Sequence, residues 1–96
     1  MTSSPTRTVH VRIEGRVQGV GYRAWTAREA SALGLSGWVR NRRDGSVEAV
    51  LQGDPEIVGA MLRRGQTGPA EALVTRLAII GEGVGALEGF AVRPTG

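Results

Sequence analysis

The stretch VHVRIEGRVQGVGYR, residues 9–23, passes from a strand pattern through a glycine-rich loop into a helix pattern. Its first six residues alternate apolar and polar side chains, which predicts a strand whose buried face carries Val9, Val11 and Ile13. The next seven residues contain three glycines, which adopt positive φ angles readily and let the backbone approach a ligand. From Tyr22 onward the apolar side chains recur at helical spacing. The stretch therefore predicts a strand, a loop and a helix in direct succession.

The remainder of the chain predicts a second helix and four further strands, and the last of these strands is an optional addition at the C-terminal end. The dipeptide Asp44-Gly45 is a strong hairpin signal between two alternating segments. Asp54-Pro55 is typical of a helix start, because the carboxylate caps free N–H groups and proline needs no donor there. The predicted elements after the loop are a helix over 22–34, strands over 36–43 and 46–52, a helix over 54–65, and strands over 73–80 and 88–93.

This order predicts an α+β fold of the ferredoxin-like kind, a βαββαβ sandwich with an antiparallel sheet, two helices on one face and a possible extra C-terminal strand. A chain of 96 residues has room for one modest hydrophobic core. Residues 1–7 are predicted to form a flexible N-terminal tail, and residues 8–96 a single domain. Residues 81–87 are predicted to be a connection only.

The composition excludes several kinds of chemistry. The chain has no cysteine, which excludes disulfides, cysteine-ligated metals and a thiolate nucleophile. All 12 basic residues are arginine, which excludes Schiff-base chemistry and the lysine of a P-loop. Genomic composition accounts for that bias, and arginine also suits planar recognition of phosphate; the two explanations coexist. No metal site or cofactor is predicted.

Charge and hydropathy indicate the class of partner. The net charge is only +3, with 9 acidic residues interspersed among the basic ones, so no basic block is suited to a nucleic-acid backbone. A small anion is therefore a more suitable ligand for this chain than a nucleic acid. The first residues lack the apolar run of a signal peptide, and no segment approaches the roughly 18 apolar residues of a membrane span. We therefore expect a cytoplasmic protein that contacts no membrane.

The loop before the first helix has the outline of an anion site, because a glycine-rich loop and a helix N-terminus direct several N–H groups and the helix dipole at one point. Arg23 lies in the first helical turn, where a positive charge is unfavourable by about 0.3 to 1 kcal/mol. A bound phosphate would compensate for it. The alternative is a tight turn followed by a surface arginine, and these residues alone leave both interpretations open.

Two polar residues on strands have competing interpretations. Asn41 falls on the core-facing side of its strand beside the hairpin, where its amide either bonds to the Asp44-Gly45 turn or orients a water molecule. His10, the only histidine, lies opposite the buried face with Arg12 and Glu14. A solvated strand position explains it more simply than a catalytic base, and we assign it no role.

Two segments resemble the signatures of the acylphosphatase family. GRVQGVGYR at 15–23 is similar to the first signature, and GWVRN at 37–41, continuing through DGSV at 44–47, is similar to the second. They stand in the family's order and spacing, and the similarity spans 9–92. The chain departs from the family's pattern at Gly21, where relatives often carry a bulky residue, and at its C-terminal end, which lacks the common aromatic residue.

The resemblance implies a metal-independent hydrolase of carboxyl-phosphate anhydrides with a ferredoxin-like fold and a small-molecule substrate. It implies that the guanidinium of Arg23 and a set of backbone N–H groups bind the phosphoryl group, while Asn41 positions the attacking water. Those N–H groups belong to Arg16, Val17, Gln18, Gly19, Val20 and Gly21. We expect a monomer for so small a chain.

Two other functions share this fold, which alone does not decide between them. An RNA-binding module would display stacking aromatics on its strands, whereas only Trp38 among the four aromatic residues is expected on an exposed strand face. A domain that senses phosphate without chemistry would have no need to keep both Arg23 and Asn41. We therefore predict the enzyme.

Overall fold

The computed structural model describes residues 6–83 and 86–96. Its elements are β1 (Arg7–Arg16), α1 (Tyr22–Ala32), β2 (Ser36–Asn41), β3 (Val47–Gly53), α2 (Pro55–Gly65), β4 (Leu73–Glu82) and β5 (Phe90–Val92). The order of helices and strands is the predicted one. The predicted tail over 1–7 falls largely outside the described residues, and Arg7 already belongs to β1. The predicted connection over 81–87 also includes two residues outside them, and β4 extends two residues into it.

The sheet has the strand order β4-β1-β3-β2-β5. The four strands from β4 to β2 are antiparallel neighbours, as predicted, and the extra C-terminal strand is present. That strand, for which no direction is predicted, pairs in parallel with β2, so the complete sheet is mixed. The cause is the direction of the strands. β1 and β2 run in the same direction and β4 runs in the opposite one, so β5, which follows a reversal of the chain after β4, runs parallel to β2.

The core lies between one face of the sheet and the two helices. On this face the predicted inward residues of β1 and β3 are at most 3% exposed, and those of α1 and α2 join them in one cluster. Both helices therefore pack on the same face, as predicted. The cluster is formed by Val9, Val11, Ile13, Val17, Tyr22, Ala30, Leu35, Val39, Val47, Ala49, Leu51, Val58 and Met61.

The two helices begin in different ways. α2 follows the predicted pattern, because the carboxylate of Asp54 accepts a hydrogen bond from the N–H of Glu56 at 2.9 Å and Pro55 occupies the first turn. α1 begins directly after Gly21, which occupies the N-cap position in a left-handed conformation (φ 83°) and supplies no side-chain cap. The first turn of α1 contains no acidic residue either. The N-terminal N–H groups of α1 therefore lack the partners that α2 has.

The sheet face away from the helices, here called the open face, holds a buried carboxylate. The side chain of Glu48 is only 4% exposed and accepts hydrogen bonds from Arg40 at 2.7 Å and Arg42 at 3.1 Å. The side chain of His10, which is one-third exposed, also contacts this carboxylate. His10 is therefore partnered rather than simply solvated. Burial raises the pKa of Glu48, but the hydrogen bonds from Arg40, His10 and Arg42 outweigh it and hold the pKa below its ordinary value.

Replacing this carboxylate should weaken the acid sensitivity of the fold. A pKa lowered by folding contributes stability above the unfolded-state value of about 4.3, and that stability is lost as pH falls through the folded-state value. We expect Glu48→Gln to lower the free energy of unfolding near pH 7 by about 1 to 3 kcal/mol. Its Tm should also fall less than the wild type's between about pH 6 and pH 3. Thermal unfolding of both proteins across this pH range, beside the exposed control Glu88→Gln, measures the effect; parallel curves for wild type and Glu48→Gln would contradict it.

Candidate active site

The loop between β1 and α1, called the glycine loop (residues 15–21), is held at its β1 end by packing. Val17 is 1% exposed and fixes the loop to the core. Gly15 has a φ of 123°, and a methyl group there would lie 2.2 Å from the carbonyl oxygen of Leu73. Only glycine permits so close an approach of β1 to β4. Gly19 and Gly21 also have positive φ values, but they face open space, so the loop is unobstructed on the side where a ligand would enter.

The N–H groups at 17–21 of the glycine loop have no acceptor among the described residues. Within the described part of the chain, none of the N–H groups of residues 17–21 donates a hydrogen bond to a backbone or side-chain acceptor. Arg16 differs from them, since it is the last residue of β1 and lies opposite Leu73 in the ladder. The uncapped start of α1 follows directly. Consecutive free donors next to a helix N-terminus make this loop a site for an anion.

Arg23 adds a positive charge beside these donors. It lies in the first turn of α1 and is partly exposed, and its side chain forms no ion pair or hydrogen bond with any residue of 6–83 or 86–96. Its side chain lines an open cavity of about 260 Å³ together with the glycine loop. The structure therefore brings Arg23 together with three of the six predicted loop residues, and the other three, Arg16, Gln18 and Val20, are not part of the cavity lining. The cavity is lined by Val17, Gly19, Gly21, Tyr22, Arg23, Ala24 and Val92.

Asn41 approaches this region from β2. It is the last residue of β2 and shares a face with Val39, which pairs with Val92 of the cavity wall. Asn41 therefore lies two residues, about 7 Å, further along the strand. Its side-chain oxygen is buried and has no hydrogen-bond partner among the described residues. The alternative in which this oxygen bonds to the Asp44-Gly45 turn is thus not observed.

The turn finds its partners elsewhere, in an arrangement that sequence reasoning missed. Asp44 accepts hydrogen bonds from the N–H and hydroxyl of Ser46, and these bonds, followed by the charge of Arg12, lower the pKa of Asp44. The side chain of Gln18 donates to the carbonyl oxygens of Arg42 and Ser46 at 2.7 and 2.8 Å. Gln18 was predicted to act through its backbone alone. The only sequence signal was a polar amide between two small or apolar neighbours.

The C-terminal residues form a second contact that was not predicted. Val92 of β5 is part of the cavity wall. After β5, the N–H of Arg93 donates to the carbonyl of Val39 at 2.9 Å, and the N–H of Gly96 donates to the carbonyl of Asn41 at 3.0 Å. The backbone of Asn41 is therefore tied to the segment that follows β5.

The described residues contain no metal-ligand cluster and no membrane-spanning helix. No group of three histidine, cysteine or acidic side chains in 6–83 and 86–96 is arranged to hold a metal ion. Both helices have 11 residues, and neither is long and apolar enough to cross a membrane. Free N–H donors and a guanidinium can stabilise a tetrahedral anion, and an unpaired amide oxygen can accept a hydrogen bond from water.

Comparison with known proteins shows which family the chain belongs to. The acylphosphatase family model matches residues 9–92, which include the glycine loop, Arg23 and Asn41. The chain belongs to the acylphosphatase family. It is 55% identical over 91 residues to an acylphosphatase of Azorhizobium caulinodans, with 94% of this chain and 98% of that protein covered. It is 54% identical over 83 residues to an acylphosphatase of Thermococcus kodakarensis, with 86% and 91% covered.

Solved structures agree with this assignment. The fold superimposes on an acylphosphatase from Coxiella burnetii with a TM-score of 0.89 and 32% identity, covering 97% of this chain and all of that one. The resemblance inferred from the two signatures, the ferredoxin-like α+β fold and the enzyme class, a hydrolase of the acylphosphatase type, are confirmed. The roles of the individual residues stay predictions.

Proposed function

We propose that this acylphosphatase hydrolyses the anhydride bond of an acyl phosphate without a metal ion, giving a carboxylate and phosphate. The N–H groups of the glycine loop and the guanidinium of Arg23 hold the phosphoryl group, and Asn41 orients the attacking water. The observation that carries the proposal is the meeting of free N–H donors and an unpaired arginine in one cavity. Arg16, at the end of β1, contributes the outermost of the proposed donors.

The phosphoryl group is stabilised by donors already in place. In phosphoryl transfer the transition state spreads negative charge over three equatorial oxygens. Several backbone N–H groups and one forked guanidinium match that distribution without reorganising. The leaving group is a carboxylate whose conjugate acid has a pKa of about 4, so it departs without a proton from a general acid. The site accordingly needs no acidic residue beside Arg23.

Asn41 contributes orientation rather than proton transfer. Its side-chain oxygen is buried and has no partner in the part of the chain that the structure describes, and water can donate a hydrogen bond to it. An amide is no base near neutral pH, but holding the water in line with the scissile bond removes part of the entropic barrier to attack. Asn41 therefore acts on the nucleophile, whereas Arg23 and the glycine loop act on the phosphoryl group.

The open face argues for the enzyme over an RNA-binding module. Trp38 is the aromatic residue that could stack on a base there, but guanidinium groups of Arg40 and Arg93 lie 5.1 and 4.6 Å from the centre of its ring. His10 adds an edge contact at 6.0 Å. The indole is thus engaged by its own neighbours. The absence of nucleic-acid binding, the monomeric state and the cytoplasmic location remain part of this proposal as predictions.

Substrate preference tests the proposal. A phosphate monoester releases an alkoxide, which needs acid catalysis or a metal ion, so we expect phosphoserine to be hydrolysed at a negligible rate. An aromatic acyl phosphate should be hydrolysed at the same rate with and without excess chelator. Phosphate release from both substrates by the purified protein is the measurement. Loss of turnover in chelator would exclude the metal-independent mechanism, and a folded wild type without turnover would leave only an anion-binding domain.

A further inference from the structure

Gln18 connects the two halves of the proposed site. Its backbone belongs to the glycine loop, whereas its side-chain amide donates to the carbonyl oxygens of Arg42 and Ser46, 24 and 28 residues away in sequence. We propose that the side chain of Gln18 is a positioning residue that fixes Asn41 relative to the bound phosphoryl group. This inference rests on the proposed function, and it assigns to Gln18 a role beyond that of its backbone N–H.

Both side-chain N–H groups of Gln18 are used in this contact. The two acceptors belong to the same β2–β3 connection, where the N–H of Arg42 also donates to the carbonyl of Ser46 at 2.8 Å. The N–H of Gly45 shares the carbonyl of Arg42 at 3.2 Å. An amide supplies two donors from one nitrogen, which carboxylate and apolar side chains of the same length cannot do. Gln18 therefore holds this connection at two points.

The contact lies next to Asn41 in the chain. Arg42 follows Asn41 directly, so the bond to its carbonyl restrains the backbone from which the Asn41 side chain projects. The side-chain oxygen of Asn41 has no protein partner among the described residues. Its position is therefore set through the backbone, by the Gln18 contact on one side and the bond from Gly96 on the other.

This position determines the in-line geometry of attack. The glycine loop fixes the position of the phosphorus, and the end of β2 fixes the position of the water. These two segments must therefore be held at a fixed distance from each other. A misplacement of about 1 Å can cost about a hundredfold in rate. Gln18 is part of the first segment and is bonded to the second, so it sets the distance between them.

A double-mutant cycle distinguishes positioning from a general structural role. We expect Gln18→Met, which keeps the length and removes both donors, to lower kcat by about tenfold to fiftyfold, short of the hundredfold above. The inhibition constant of inorganic phosphate should change by less than about threefold, because the glycine-loop N–H groups and Arg23 remain. In an Asn41→Ala background, the same substitution should lower kcat by less than about threefold, since the residue it positions is gone. Equal losses in both backgrounds would overturn the inference, as would a wild-type kcat in Gln18→Met.

A second variant covers the case in which Gln18→Met folds poorly. Gln18→Glu has the same shape, but its carboxylate faces two carbonyl oxygens and donates to neither. Protonation restores one donor, so kcat relative to wild type should rise as pH falls below about 5. A ratio independent of pH between about 4 and 7 would count against positioning by a donated hydrogen bond.

A matched control separates lost stability from lost positioning. Gln52 donates to the hydroxyl of Thr8 at 2.8 Å and accepts from the N–H of Leu87 at 2.8 Å, near the opposite end of β2 and β3. Gln52→Met should lower Tm while leaving kcat unchanged at temperatures well below Tm. If wild type turns over and the cycle is additive, only the role of Gln18 fails. If a folded wild type does not turn over, the proposed function and this inference fail together.

Discussion

Replacing Arg23 with alanine is expected to lower kcat/KM for an aromatic acyl phosphate by about a thousandfold. Each donor to a developing oxyanion is commonly worth about 2.7 to 4 kcal/mol in the transition state, and a forked guanidinium that bonds twice lies at the upper end. The fold should be unaffected, because Arg23 has no ion pair or hydrogen bond with the described residues. Steady-state kinetics in excess chelator, with the Tm of each protein measured in parallel, gives both quantities.

Two further variants make the result specific to the guanidinium. Arg23→Lys keeps the charge but offers a point charge without a fork, so it should recover no more than about a few per cent of the activity. Arg28→Ala removes an exposed arginine from the same helix and should leave kcat/KM near the wild-type value. Activity above about a tenth of wild type in Arg23→Ala would remove this residue from the proposed mechanism.

Replacing Asn41 with alanine is expected to lower kcat by at least about a hundredfold while the binding of inorganic phosphate stays within about threefold. The difference between the two effects follows from the proposed mechanism, in which Asn41 holds the water and does not contact the phosphoryl group. The fold should be retained, because the side-chain oxygen of Asn41 has no hydrogen bond to the described residues that the substitution would break.

The matched control for Asn41 lies two residues further along the chain. Arg43→Ala shortens an exposed side chain and keeps the backbone N–H that donates to Gly96, so kcat should not change. Turnover numbers, competitive inhibition by phosphate and thermal unfolding together complete the comparison. A near-normal kcat in Asn41→Ala, or a loss of phosphate binding equal to the loss of kcat, would show that Asn41 does not orient the water.

Most of the fold could be predicted from local patterns in the sequence. The alternation from Val9 to Ile13 and the Asp44-Gly45 turn each reflect short-range geometry, and both are found where predicted. The direction of β5 could not be predicted in this way. A strand of three residues has too little periodicity to indicate a partner, and its pairing with β2 depends on a part of the chain about 50 residues earlier.

In the candidate site, too, contacts between residues distant in sequence could not be predicted from local patterns. Glycines of the loop and Arg23 are neighbours in sequence, so their common cavity could be predicted from a loop that leads into a helix. The bonds of Gln18 and the burial of Glu48 could not be, because both depend on strands that meet only in the folded sheet. Alternation assigns Glu48 to the solvent side of β3, and the arginines of β2 that cover it are visible only in three dimensions.

The uncapped start of α1 links the folding of this enzyme to the occupancy of its site. Under the proposed function, an anion in the cavity supplies the acceptors that Asp54 provides for α2. A ligand that binds only the folded state, at a hundred times its Kd, raises the free energy of unfolding by about 2.7 kcal/mol. Phosphate is the product as well as such a ligand. Accumulated product would therefore slow turnover and, by the same contacts, lengthen the lifetime of each enzyme molecule.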